Sequence, residues 1–116
     1  MKRPDIFELH ASICQTLSHP TRLKILAVLG KRESSVGELA EAIGATLSNV
    51  SQHLAVLKRH QLVVARKQGQ TVFYSLADRR IIQACSLIRS VLLDHMKLRG
   101  EIAEAADPRY VITIDE

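Results

Sequence analysis

The chain has 116 residues, which suits one domain with a core large enough to fold alone and little to spare. It is 47% hydrophobic and 24% charged, as globular domains are. Only 3% is aromatic and there is no Trp, so Leu, Ile, Val and Ala must fill the core, and the aromatic stacking platforms that hold single strands are not expected. The formal charge of +4 suits a polyanionic partner without identifying one.

The opening Met1-Lys2-Arg3-Pro4-Asp5 is charged, and no signal-type apolar region follows it. No apolar run approaches the ~18–20 residues of a membrane span. A cytoplasmic protein with no membrane contact is expected, with Cys14 and Cys85 resting as thiols rather than as a structural disulfide.

Asp5 to Leu17 reads as a first helix with the stripe Ile6, Leu9, Ile13 and Leu17; His10 and Cys14 fall on the same side. Ser18-His19-Pro20 breaks it. Pro20 suits the first turn of a second helix, Thr21 to Leu29, where its missing N–H is unpaired anyway. Gly30 ends that helix. Ser35 and Glu38 have capping-box spacing at the start of a third helix, Val36 to Ile43, which Gly44 closes. Thr46 then caps a fourth helix that runs to His60. Helix, short Gly-containing turn, helix is the helix-turn-helix arrangement.

The fourth helix is the most informative stretch. Leu47, Val50, Leu54 and Leu57 recur on one face. Between them stand Ser48, Asn49, Ser51, Gln52 and His53, followed by Lys58 and Arg59, in place of the usual Glu/Lys mixture. Short hydrogen-bonding groups of this kind read base edges in a major groove, and cations meet phosphate. Gln52 or Asn49 fits adenine bidentately. Thr46, Lys58 and Arg59 are expected to touch phosphates or cap the helix. The plain alternative is a solvated helix face.

After His60 the period changes. Leu62–Arg66 and Thr71–Leu76 read as strands joined by a turn, Lys67 to Gln70, with Gly69 available for positive φ. Arg66, Lys67 and Gln70 near its tip give the hairpin the form of a wing that reaches DNA backbone or minor groove; the alternative is an ordinary charged hairpin. Asp78 can cap a last helix from Arg79 to about Ala105. Ile81, Cys85, Ile88, Leu92 and His95 form its stripe, widened by Ile82, Val91 and Leu98. So apolar a helix in so small a domain needs a partner surface, most simply a second copy of the chain. The expected fold is mainly α with a small β-hairpin: a five-helix winged helix-turn-helix over residues 1–106, and a tail over 107–116 in which Val111 to Ile114 is a strand or frayed.

This order of elements resembles the ArsR/SmtB family of winged-helix repressors. Leu17-Ser18-His19-Pro20-Thr21-Arg22-Leu23-Lys24-Ile25-Leu26 is similar to that family's second-helix signature, and Val36-Gly37-Glu38-Leu39-Ala40 to its third helix. Ser48 to Leu57 resembles its recognition helix, and Gly69 to Leu76 its wing. The resemblance implies a homodimer paired through the first and last helices. It also implies a repressor that leaves a double-stranded operator when a metal ion, metalloid or reactive sulfur species engages thiols, imidazoles or carboxylates.

The chain departs from the family's best-known sensing patterns. The arsenic or cadmium thiol cluster would fall around Val36 to Ala42, where there is no cysteine. At the zinc-type site on the last helix, Asp78-Arg79-Arg80 puts arginine where the first imidazole belongs, and Val91 and Asp94 occupy the later positions. Cys14 and Cys85 remain, on helices that pack together in the family. Two thiols brought close there would bind a thiophilic ion or bridge as a disulfide or polysulfide, shifting the reading helices; the alternative is that each is a small buried hydrophobe. Two thiols are too few for tetrahedral zinc. His95 lies about 15 Å along the helix from Cys85 and cannot share an ion with it in one chain. His10, one turn from Cys14, can join it; His19 and His60 are given no chemistry.

Against this reading stand a regulator of the same fold without a sensing site, which an inducer-dependent operator shift would exclude, and a winged-helix protein–protein adaptor, which would show no preference among DNA sequences. An enzyme is not expected: there is no nucleophile elbow, phosphate-cradling Gly-rich loop or paired-carboxylate cleft.

Overall fold

The computed structural model describes residues 3–100. It runs α1 (Ile6–Thr16), α2 (Pro20–Leu29), β1 (Ser34–Ser35), α3 (Val36–Ile43), α4 (Leu47–Arg59), β2 (Val63–Gln68), β3 (Thr71–Leu76) and α5 (Arg79–Leu98). The chain divides into two units, one through Ala77 and one from Asp78 onward.

In the first unit the helix starts follow from side-chain caps. The Asp5 carboxylate accepts from the Glu8 N–H at 2.8 Å. Pro20 takes the first position of α2, one residue earlier than the sequence suggests, because it needs no hydrogen bond there. Ser35 and Glu38 make both bonds of the capping box at α3. Gly44 follows α3 in the left-handed conformation, φ +70°, which lets the chain reverse into α4. Ile25, Leu26 and Leu29 of α2, Leu39 and Ala40 of α3, and Val50, Leu54 and Leu57 of α4 are buried, with Leu62 and Val63 just beyond. These three helices pack on one another. From α1 only Thr16 is buried; Ile6, Phe7 and Leu9 are exposed.

The α4 terminus holds a feature the sequence does not announce. Gln61 adopts φ +62°. The Leu62 N–H donates to the Leu57 carbonyl and the Gln61 N–H to that of Lys58, at 2.9 and 3.0 Å. This is a Schellman closure with Gln where Gly is the usual residue.

The sheet has three strands in the order β1-β3-β2, all antiparallel, rather than a two-stranded hairpin alone. The added strand is the Ser34-Ser35 pair, against Tyr74 and Phe73. Two residues offer no alternation to detect, and Ser34 is fully buried. β2 starts at Val63 rather than Leu62 and runs to Gln68, because Lys67 and Gln68 pair with Val72 and Thr71. The turn therefore shrinks to Gly69-Gln70, with Gly69 at φ +62°.

In the second unit, Asp78 caps α5 by accepting from the Arg80 N–H at 2.9 Å. The Arg80 guanidinium also pairs with this carboxylate at 2.8 Å and holds its pKa down at about 2. α5 ends at Leu98, with Gly100 at φ +71°; the expected stretch from 101 to Ala105 lies outside the described residues. Cys85 and Ser86 are buried, whereas Leu87, Ile88, Val91, Leu92 and Leu98 are exposed. The tail 107–116, its candidate strand and the boundary at 106 lie outside the described residues.

Candidate nucleic-acid interface

α4 is fixed from one side only. Val50, Leu54 and Leu57 are each 1% exposed or less. Leu47 does not complete this stripe: at the first residue of the helix it projects past the core and is 60% exposed. On the opposite side Ser48, Asn49, Ser51 and Gln52 are exposed, and none of their side chains has a hydrogen-bond partner among the described residues. Ser48, Gln52, Ala55 and Arg59 follow one another at steps of four and three along this open line. Ala55 was not singled out by sequence; its methyl is exposed and small, and such a group suits a thymine methyl. The Thr46 hydroxyl is occupied as the cap, accepting from the Asn49 N–H at 3.1 Å. Lys58 and Arg59 are exposed in the last turn.

His53 stands apart from its neighbours. It is half-buried, and its Nδ1 accepts from Arg22 Nε at 3.1 Å. The same guanidinium donates through Nη1 to the Thr16 carbonyl at 3.0 Å, so Arg22 links the end of α1 to α4. The His19 ring lies 6.1 Å from that of His53. Burial, then the Arg22 charge, then His19, push the His53 pKa below its ordinary value. Sequence reading placed Arg22 and His19 in the second-helix signature but gave neither a role at α4; Arg22 and His53 lie 31 residues apart, so no local spacing marks the pair.

In the wing the two basic residues differ. Arg66 is engaged within the chain: Nη2 meets Glu33 Oε1 at 2.6 Å, Nε meets Oε2 at 3.1 Å, and Nη1 donates to Gln68 Oε1 at 2.9 Å. Its guanidinium also lies over the Phe73 ring, 5.2 Å from the centroid. It thus spans from β2 across β3 to the residue before β1. Lys67 is exposed, alternates to the other face of the strand, and makes no hydrogen bond or ion pair among the described residues. Gln70 is exposed at the tip.

Cys14 is exposed on α1 and Cys85 buried on α5, and they form no disulfide. Arg89, one turn beyond Cys85, donates through Nη2 to Ser86 Oγ at 3.2 Å, while its buried Nε has no hydrogen-bond partner. Burial lowers the Arg89 pKa, and Cys85 opposes that shift. Asp78, the surviving acidic position of the zinc-type pattern, is occupied by Arg80. Among the described residues no three His, Cys, Asp or Glu side chains gather as a metal site, and His10 and His95 are exposed. No described helix is long and apolar enough to cross a membrane.

Comparison with known proteins agrees with this geometry. Residues 17–66 match a family described as a helix-turn-helix domain. The HTH-type transcriptional regulator Rv0081 of Mycobacterium tuberculosis is 40% identical over 105 residues, covering 90% of this chain and 92% of that protein. Its crystal structure aligns with a TM-score of 0.73 and 37% identity, over 84% of this chain and 99% of that one. Reduced HlyU of Vibrio cholerae aligns with a TM-score of 0.65 and 36% identity, over 72% of this chain and 87% of that one. The homodimeric winged helix-turn-helix DNA-binding domain Mb0332 of Mycobacterium bovis, described as a possible ArsR-family regulator, aligns with a TM-score of 0.71 and 27% identity, over 84% and 94%. With this fold, these motifs and these relatives, the chain belongs to the ArsR/SmtB family of winged helix-turn-helix transcriptional regulators.

Proposed function

We propose that this chain is a cytoplasmic, homodimeric repressor that places α4 in the major groove of a double-stranded operator and is released by an inducer. The observation that carries the reading is the split character of α4: three fully buried leucine and valine anchors behind four exposed, uncommitted polar side chains. A helix held this way offers Ser48, Asn49, Ser51 and Gln52 to base edges without reorganisation. Thr46, Lys58, Arg59, Lys67 and Gln70 are the phosphate-side group; Arg66, committed to Glu33, braces the wing.

Dimerisation through α1 and α5 accounts for their exposed apolar side chains. Leu87, Ile88, Val91 and Leu92 form a continuous patch on α5, and Ile6, Phe7 and Leu9 are uncovered on α1. Surfaces of this kind mark association sites. The relative Mb0332 is described as homodimeric.

The inducer is a thiol-reactive sulfur species or a thiophilic metal or metalloid acting at Cys14 and Cys85. Cys14 is exposed to an incoming reagent, and Cys85 is buried on α5 one turn from Arg89. An operator titration with and without a persulfide donor tests this. Cys14→Ser/Cys85→Ser should bind operator as the parent does and ignore the donor; release of the double variant by the donor refutes the thiol role.

A further inference from the structure

His53 is the one polar residue on the front half of α4 whose side chain is already committed, and the commitment has a chemical consequence. Arginine is protonated throughout the accessible pH range and carries only donors. The 3.1 Å contact from Arg22 Nε therefore requires a bare lone pair on His53 Nδ1. Arg22 cannot swing away cheaply, because Nη1 is tied to the Thr16 carbonyl at 3.0 Å. A neutral imidazole with Nδ1 bare carries its hydrogen on Nε2. The ring is kept neutral by its surroundings: burial and the two basic neighbours that face it, Arg22 and His19, all disfavour the imidazolium.

Nε2 has no partner among the described residues. The only fully buried, unpartnered side-chain nitrogen or oxygen among them is Arg89 Nε, so His53 Nε2 is not sealed from solvent. It sits on the flank of α4, one residue past Gln52 and one turn from Asn49.

We propose that Arg22 is a positioning residue that locks His53 as the Nε2–H tautomer, so that His53 addresses DNA only as a hydrogen-bond donor. Ser48, Asn49, Ser51 and Gln52 each carry both donor and acceptor and suit several bases. His53 has one hydrogen, on one atom, and rejects any donor placed opposite it. An acceptor suits it: purine N7, guanine O6 or thymine O4 at a base edge, or a phosphate oxygen. The donor role rests on the reading of α4 as the groove helix; the tautomer does not.

The two parts separate experimentally. Long-range ¹H–¹⁵N correlation spectra of the labelled full chain without DNA report the tautomer directly. The expected His53 pattern is a protonated Nε2 and bare Nδ1, with Nδ1–H becoming populated in Arg22→Met. A protonated Nδ1 in the parent overturns the proposal. For the donor role, operator titrations compare His53→Gln, whose amide nitrogen stands near the Nε2 position, with His53→Asn, whose carbonyl replaces Nδ1 as acceptor for Arg22.

The expected result is that Gln retains most of the operator affinity and Asn loses about 5- to 150-fold, the range of one good base contact. A loss confined to one substituted base pair identifies a base edge; equal loss on all sequences identifies a phosphate. The reverse order, with Asn retained and Gln impaired, reduces His53 to a brace and overturns the donor role, as does no effect from either. Gln52→Ala is the control. If it too leaves the preference intact, the reading of α4 fails and the donor role falls with it, while the spectrum still decides the tautomer.

Discussion

α4 and the wing both present polar and basic side chains to solvent, yet they hold them differently. On α4 the polar groups from Ser48 to Gln52 are uncommitted, and the helix is immobilised from behind by Val50, Leu54 and Leu57. On the wing β2 is an edge strand, and its basic residues divide the labour. Arg66 is spent on Glu33 and Phe73, whereas Lys67 stays open. Rigidity comes from apolar burial in one region and from an exposed ion pair in the other. The first should be insensitive to salt and the second sensitive to it.

The largest effect that sharpens this contrast is Leu54→Ala. It removes a side chain that is 1% exposed and should cost about 2–5 kcal/mol of folding stability, read by urea denaturation. A cost below about 1 kcal/mol would mean that α4 is not anchored as described. On the open side, Gln52→Ala should leave stability within about 0.5 kcal/mol and weaken operator binding by about 1–3 kcal/mol at one base position. Equal weakening on random DNA would remove Gln52 from the readers.

In the wing, Lys67→Ala and Arg66→Ala should behave differently although each deletes one positive charge. Lys67→Ala should weaken binding evenly across sequences and flatten the salt dependence by about 0.9 in log–log slope. Arg66→Ala should leave Glu33 without its cation. Its binding defect should then be matched by Glu33→Ala and relieved by exchanging the two residues. An Arg66→Ala slope change as large as that of Lys67→Ala, with no effect from Glu33→Ala, would put Arg66 on phosphate instead.

Much of this was legible in the chain, for definite reasons. The caps at Ser35, Thr46 and Asp78 are local, spanning two or three residues, and each formed as the spacing indicates, whereas Asp5, read as the first helical residue, is the cap of α1. The exposed face of α4 follows from helical periodicity with apolar residues opposite. What escaped is non-local or too short to have a period. Arg22 meets His53 and Arg66 meets Glu33 across 31 and 33 residues. β1 is two residues long and depends on Tyr74 and Phe73 to exist. Leu47 has the right spacing for the stripe but lies one turn beyond the end of the core. Periodicity reports direction around a helix, not how far the core extends along it.

The smallest expected effect is at the junction between the two regions. Gln61 closes α4 and leads into β2 at φ +62°, a conformation that disfavours any residue with a Cβ. Gln61→Gly should stabilise the fold by about 0.5–1 kcal/mol without changing operator affinity. A destabilised variant would show that the Gln61 side chain contributes more than its backbone costs.

The central claim is that two copies of the chain present two reading helices to one duplex. Hydroxyl-radical footprinting and methylation interference on the selected operator test it most directly. The account predicts two equivalent major-groove patches about 10–10.5 base pairs apart, both weakened together by Gln52→Ala. A single patch, or protection that does not depend on sequence, would contradict it.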